Sequence, residues 1–375
     1  MGSATQSTFN PKRKMKILYI STRIDGSGGL QRSLSVRLNY LAQNGYDINL
    51  LTTNSENDVI YFPLDNKIKH TDVKDVSSFF RYRKLIQATY KKTNPDLVVV
   101  VDNGLKGFLI PYFLPNTAKI IFELHATKHL IIQESHSVFR HLGIAKNLLK
   151  NAAKKFDAFV FLSEKEAALW KLKNQVVLAN PLSFSTTTKS NLDHKKVIFV
   201  GRQSLLKGID LLLEVWQEVN KTHPNWKLEI YGQQLAEFDT QKEVDKRGLT
   251  HSVRIYKPVT TISEKYATSS ILLMTSRTET FGLVLTEAMS CGLPCIAFDV
   301  PTGPSSIIEN NKNGFLIPCF DIELFAKKVI ELIKNESLRK EMGQHAQKSV
   351  EKFELEKIMH QWEFVFKKLT YNEQR

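Results

Sequence analysis

Hydrophobic positions along the chain fall into short runs with two alternating periods. Lys16 to Thr22 is a strand pattern and Arg23 to Gly29 a loop, after which Leu30, Leu34, Leu38 and Leu41 recur at the spacing of one helix face that ends at Gly45. Ile48 to Thr52 reads as the next strand. A helical stretch from Phe79 to Lys91 then leads into apolar runs at Leu97–Val101, Lys119–Leu124 and Ala158–Leu162. Strands separated by helices predict a parallel sheet, a Rossmann-like unit. From Ala179 to His194 the pattern lapses into a Ser/Thr-rich stretch that reads as a linker. The alternation then resumes, with strands at Val197–Val200, Trp226–Tyr231, Val253–Tyr256, Ile271–Met274 and Pro294–Phe298, and helices near Glu323–Lys334 and Ser337–Phe353. The pattern divides the chain into a first Rossmann-like domain over 15–182, a linker over 183–194, a second over 195–353 and a last segment over 354–375. The polar stretch 1–14 has no apolar signal core and reads as a disordered extension or expression remnant before a start near Met15.

Composition fits this division. With 375 residues, 42% of them hydrophobic, the chain can bury two cores of ordinary size. No apolar run approaches the roughly 18 residues a membrane-spanning helix needs. Three cysteines, Cys291, Cys295 and Cys319, lie in hydrophobic contexts without metal-ligand spacing, which predicts reduced, buried thiols in a cytoplasmic protein.

Charge adds a question about partners. The net charge is +14, yet the cations are spread over many segments, with no compact basic motif interleaved with aromatics, so no nucleic-acid partner is expected. An anionic membrane surface is the other candidate. From His136 to Phe156, Phe139, Leu142, Leu149, Ala152, Ala153 and Phe156 fall near helical spacing, while Arg140, Lys146, Lys150, Lys154 and Lys155 form a polar side. A domain helix with a solvated lysine face gives the same pattern.

Candidate chemistry concentrates in the second half. Glu279 and Glu287 flank a segment that follows the apolar run Ile271–Met274. Phe281-Gly282 is expected to turn the chain and open a helix stopped at Gly292, with Glu279 in the loop and Glu287 about two turns into the helix. Two carboxylates so placed can bind hydroxyls at two points of an elongated ligand while free N–H groups at the helix start face its anionic part. A solvated helix glutamate and a dipole-favoured N-terminal acid are the plainer alternative. A second feature is the strand Lys196–Val200 running into Gly201-Arg202, followed by Lys207-Gly208 and a helical run. It sets Arg202 and Lys207 at the carboxyl end of a strand, where a guanidinium and an ammonium make a diphosphate clamp. In the first half, Gly26, Gly28 and Gly29 follow the first strand. A dinucleotide fingerprint would need glycine where Gln31 stands and an acid after the second strand, where Thr52-Thr53 stands, so an oxidoreductase is not expected. His125 follows the strand Lys119–Leu124 and lies at the same carboxyl edge.

Together Gly201-Arg202 with Lys207-Gly208, Glu279 to Glu287 with Ala288-Met289-Ser290-Cys291-Gly292, Gly26-Ser27-Gly28-Gly29, and Gly303-Pro304 to Glu309 with Asn313-Gly314 resemble the retaining glycosyltransferases of the GT-B fold. The resemblance extends from Lys16 to about Leu369, specific in the second half and weak in the first. It implies an α/β protein of two Rossmann-like domains facing across a cleft, the first binding the acceptor and the second the nucleotide sugar, with the C-terminal helix crossing back to the first. It further implies that Arg202 and Lys207 neutralise the leaving diphosphate, Glu279 holds sugar hydroxyls, Glu287 holds the ribose and His125 binds the donor sugar. Gly28, Gly29, Phe281, Gly282 and Leu283 would line the donor, and no metal or cofactor is implied. Tyr256, at the end of the strand that reaches the base, is a further donor-binding candidate, although Lys257-Pro258 follows where many members have glycine. Pro301-Thr302-Gly303-Pro304 resembles bacterial members that take UDP-hexoses or UDP-N-acetylhexosamines to lipid-linked acceptors, which makes a UDP-sugar the expected donor and a cytoplasmic, membrane-peripheral location the expected setting. A GT-B phosphorylase, a nucleotide-sugar epimerase and a non-catalytic nucleotide-sugar-binding protein are the alternatives.

Overall fold

The computed structural model describes residues 14–371 except 57–58, 75, 77, 103–104, 128–143 and 185–187. Two parallel sheets organise them. The first has β1 (Lys16–Ser21), β2 (Asp47–Thr52), β3 (Lys69–Asp72), β4 (Leu97–Asp102), β5 (Ile120–Leu124), β6 (Ala158–Phe161) and β7 (Gln175–Val177) in the order β3-β2-β1-β4-β5-β6-β7. The second has β8 (Lys196–Val200), β9 (Lys227–Tyr231), β10 (Val253–Tyr256), β11 (Ile271–Met274), β12 (Cys295–Phe298) and β13 (Gly314–Ile317) in the order β10-β9-β8-β11-β12-β13. Every residue of β4 is buried, on both faces of the sheet, which is why Leu-Val-Val-Val-Val reads as a continuous apolar run rather than an alternation. Strand order reverses between β1 and β4 and again between β8 and β11, and ligand crevices of open sheets form outside such points.

Most predicted elements are present. The helix α1 (Gly29–Gln43) buries Leu34, Leu38 and Leu41 completely, and α2 (Phe79–Thr93) follows β3. The edge strands β3 and β7 are not foreseen by the pattern. Lys69-His-Thr-Asp in β3 is polar because one side of an edge strand meets solvent, so no hydrophobic run marks it. Between β7 and β8 the described residues form neither helix nor strand.

The basic stretch is described only in part, since 128–143, including Arg140, lies outside the described residues. From there α3 (Ile144–Ala153) buries Leu149 and Ala153, and the following Phe156 is also buried, while Lys154 and Lys155 are exposed. Cys291 and Cys295 are buried as expected, and burial pushes the Cys291 thiol up to about 12. Cys319 is not: it is exposed just beyond β13, past the end of the apolar run that suggested burial. No helix among the described residues is long and apolar enough to cross a membrane.

In the first domain α4 (Glu164–Trp170) links β6 to β7, and in the second α5 (Ile209–Thr222), α6 (Thr240–Lys246), α7 (Ile262–Ala267), α8 (Leu283–Ser290), α9 (Ile322–Lys334) and α10 (Glu336–Ser349) complete the layers around the second sheet. The last helix, α11 (Leu355–Tyr371), crosses back to the first domain. Trp362 and Phe366 are buried against α1 and its following turn, with the Arg37 guanidinium 4.9 Å from the Trp362 ring centre and Phe366 edge-on to Tyr46 at 6.4 Å. The two domains therefore share one continuous core cluster.

Candidate active site

A cavity of about 630 Å³ lies between the carboxyl edges of the two sheets. It is lined from the first domain by Gly28, Gly29, Arg32 and His125, and from the second by Arg202, Lys207, Glu279, Phe281, Gly282, Leu283 and Glu287. The fold thus brings together every candidate residue except Tyr256. That side chain stacks on Tyr231 at 4.7 Å, and Tyr231, one strand nearer the centre of the sheet, faces the cavity instead. Strand order explains this placement: β10 is the edge strand, and β9 stands between it and the reversal point.

Lys207 is delivered by the turn after β8. Gly208 caps α5 in the left-handed region at φ 66°, and a Cβ there would collide with the Thr275 carbonyl oxygen at the end of β11. Thr275 donates its hydroxyl to the Gly208 carbonyl at 2.8 Å, and Arg277 makes a bidentate pair with Asp210 at 2.7 and 2.6 Å. These contacts tie the β8 turn to the loop after β11, so Lys207 Nζ meets Glu279 Oε2 at 2.6 Å. Their side chains keep 24% and 15% of their exposure, which leaves both open to the cavity. Arg202 is exposed beside them without an ion-pair partner among the described residues.

Gly282 opens α8 at φ 98°, a left-handed position that favours glycine, and no side chain caps the helix start. The start of α1 has no side-chain cap either, and a Cβ on Gly29 would lie 3.7 Å from the Leu283 side chain. Two uncapped helix N-termini thus converge on the cleft, a favourable setting for an anion.

Glu287 occupies the fifth position of α8, just over one turn in rather than two, because the helix begins only at Leu283. It is 1% exposed. Oε1 accepts from Arg32 Nη1 at 2.9 Å and from the Ser183 hydroxyl, and Oε2 accepts from the Tyr266 hydroxyl at 3.1 Å. A carboxylate has about four acceptor positions, so one remains on Oε2. Sequence reasoning did not single out Arg32, although a signal was there: a cation in the first turn of a helix opposes the dipole unless something else holds it. Burial acts to lower the Arg32 pKa, but the Glu287 carboxylate, together with the Tyr266 and Tyr61 side chains, offsets this so that the net shift is upward.

His125 sits just past β5. Its Nε2 is 2.7 Å from Glu123 Oε1, and its side chain is 4% exposed although the residue as a whole is only half-buried, so the part open to the cleft is mainly main chain. The carbonyl of His125 accepts from the Thr280 hydroxyl at 2.9 Å, across the domain boundary. Glu123 is fully buried. Burial would raise its pKa, but Arg37 and His125 reverse that and hold the carboxyl at about 2, against an ordinary 4.5.

Comparison with known proteins agrees with this architecture. A family model described as glycosyl transferases group 1 matches residues 184–349. The amylovoran biosynthesis glycosyltransferase AmsD of Erwinia amylovora is 30% identical over 366 residues, which cover 92% of this chain and 98% of that protein. An uncharacterized glycosyltransferase of Haemophilus influenzae is 29% identical over 361 residues, with the same coverage of both chains. Among solved structures, the pneumococcal O-GlcNAc transferase GtfA, in complex with UDP and GlcNAc, superposes with a TM-score of 0.75 at 16% identity, over 96% of this chain and 100% of that one. The two facing parallel sheets, the cleft between their carboxyl edges and a full-length relative at this identity lead to one assignment: the chain belongs to the group 1 glycosyltransferases of the GT-B fold.

Proposed function

We propose that the cleft moves a hexose or N-acetylhexosamine from a UDP-sugar to a lipid-linked glycan acceptor, with retention at the anomeric carbon and without a metal. The observation that carries this reading is the Lys207–Glu279 pair, 2.6 Å apart and open to the cavity, with Arg202 exposed beside it and in no ion pair among the described residues. In the reaction the anomeric C–O bond to the diphosphate breaks and a bond from the acceptor oxygen forms on the same face. The acceptor proton passes to the departing phosphate oxygen, so no protein nucleophile takes part. Negative charge grows on the diphosphate as the bond breaks, and Arg202, Lys207 and the helix-start amides bind that charge more strongly in the transition state. Glu279 exchanges Lys207 for sugar hydroxyls, Glu287 offers its remaining acceptor position to the ribose, and His125 contacts the sugar from the first domain. The relative named for amylovoran biosynthesis, and UDP in the GtfA complex, favour a surface-polysaccharide acceptor and a UDP donor. A screen of nucleotide sugars by UDP release, with lipid-linked oligosaccharide acceptors, tests the reading. Acceptor-dependent UDP release with an α-configured product is expected from an α-linked donor. An inverted product, or isomerised donor in the absence of acceptor, overturns it.

The same reading sets the enzyme on the cytoplasmic face of an anionic membrane. Segments 79–93, 105–119 and 144–155 carry eleven Lys and Arg and no Asp or Glu. They are neighbours: the Phe79 ring is 5.4 Å from Phe113, and α3 packs on the short helical turn Leu105–Tyr112. Phe79, Phe80, Tyr112 and Leu148 are exposed on them. Lysine near such a surface contributes roughly 1 kcal/mol, screened over about 8 Å at physiological salt. Replacing Lys146, Lys150, Lys154 and Lys155 by Gln should release the enzyme from phosphatidylserine-containing vesicles in a salt-dependent manner and leave transfer to a short soluble acceptor intact. Unchanged sedimentation of this variant with the vesicles would reduce the stretch to a solvated helix face.

A further inference from the structure

Glu123 is out of place by every local rule. It interrupts an apolar interior strand of the first sheet, β5, paired in register with Val101 on one side and Val160 on the other. Its neighbour on the same face, Ile121, belongs to the core cluster that also contains Leu38, Val99, Val160 and Trp362. Arg37 joins it from α1, with Nη2 2.8 Å from Glu123 Oε2, and each side chain is 1% exposed. Trp362 of α11 covers the guanidinium at 4.9 Å. Burying such a pair costs several kcal/mol per ion before the attraction is counted, and apolar residues of similar volume are often as stable or more so. Stability alone therefore gives no reason for it.

The other carboxylate oxygen supplies one. Glu123 Oε1 is 2.7 Å from His125 Nε2 at the floor of the cleft. We infer that Glu123 is the positioning residue of His125, itself held by Arg37 and, through Arg37, by Trp362 of the last helix. The inference rests on the donor-contact reading of His125 given above. A carboxylate accepts only, so its partner nitrogen carries the hydrogen, which fixes both the tautomer and the plane of the ring. Thr280 then holds the carbonyl of His125 at 2.9 Å from the opposite domain, next to Glu279. His125 is thus fixed at both ends, by its ring to the first sheet and by its main chain to the loop that carries the sugar-binding carboxylate. The last helix has a part in this arrangement, because it crosses between domains and closes the far end of the chain Trp362–Arg37–Glu123–His125.

The test removes charge first, so that no buried ion is left alone. In an Arg37→Met background, Glu123→Gln keeps an acceptor for the ring, whereas Glu123→Leu does not. The Gln pair should turn over at least about tenfold faster than the Leu pair, the scale on which small misplacements of reacting groups act. The Kd of UDP, measured by calorimetry, should agree within about twofold between them. With His125→Ala added, the difference between Gln and Leu should vanish, because their shared partner is gone. If the Leu pair does not fold, Glu123→Met, which also lacks an acceptor, takes its place. Equal kcat for the Gln and Leu pairs with His125 present overturns the positioning role, as does a difference that survives His125→Ala. The parent reading is tested separately by His125→Ala alone. Full activity of that variant ends the donor-contact role of His125 and the positioning role with it, whereas a crippled His125→Ala beside equal Gln and Leu pairs ends only the latter.

Discussion

Polar side chains on the two sides of the cleft are held under opposite constraints. On the first sheet, His125, Glu123 and Arg37 are buried to 4%, 1% and 1% side-chain exposure and each is engaged by protein. On the second, Lys207 and Glu279 hold one another while remaining 24% and 15% exposed, and Arg202 stands in the open. A pair that is open to solvent loses little by exchanging partners, since its desolvation is incomplete and water or ligand can replace either member. A buried pair cannot do so without stranding a charge. The first rim is therefore suited to holding geometry, and the second to meeting charge that appears during reaction. Glu287 belongs with the first type although it lies on the second domain, because Arg32, Ser183 and Tyr266 enclose it.

The largest effect that can break this comparison is on turnover. Arg202→Ala and Lys207→Ala should each lower kcat by about 10² or more, the usual cost of removing one electrostatic donor from a transition state. Initial rates of UDP release measure it. Wild-type rates in both variants would show that the open rim does not bind the diphosphate.

Next come the two glutamates, which the comparison assigns to different types. Glu287→Gln strips a buried carboxylate from Arg32 and should cost about 3 kcal/mol in urea unfolding, in addition to weakening UDP, which contains the ribose. Glu279→Gln should cost under about 1 kcal/mol and spare UDP while weakening the intact UDP-sugar. Calorimetry with both ligands separates them. Equal losses for both ligands in both variants would erase the distinction between the sites.

The smallest effect is on acid stability. The Glu123 carboxyl is held at about 2, below its ordinary 4.5, so the folded state favours the ionised form. Its contribution is fully present above pH 4.5 and is lost as pH falls through that value toward about 2. Urea midpoints should therefore decline over that window, and the Arg37→Met/Glu123→Leu pair should show a shallower decline. Identical slopes would mean that other carboxylates govern acid unfolding.

The sequence made the second rim more legible than the first. Gly201-Arg202, Lys207-Gly208 and the Glu279–Glu287 segment each lie within a single strand–turn–helix unit, and the chemistry of such a unit is set by residues close in sequence. Tyr256 lies outside the cavity lining because its position depends on strand order: β10 is an edge, and Tyr231 on β9 lines the cavity. Arg32 and Glu287 are 255 positions apart, and Arg37 and Glu123 meet only when α1 lies on β5, so neither pair leaves a spacing to read. Even so, each left a local oddity: a cation at a helix start in one case, a glutamate inside a buried strand in the other.

By itself the sequence determined the alternation of strands and helices, the carboxyl edges from which the candidate residues emerge, and the identity of the cations and carboxylates. Hydrophobic period and turn chemistry are properties of near neighbours, and they survive reading one residue at a time. Only the tertiary structure decided which carboxylate stays open and which is enclosed. That outcome depends on desolvation, and the burial of Glu123 and Glu287 is produced by α1, β5, α7, α8 and α11 arriving together from distant parts of the chain.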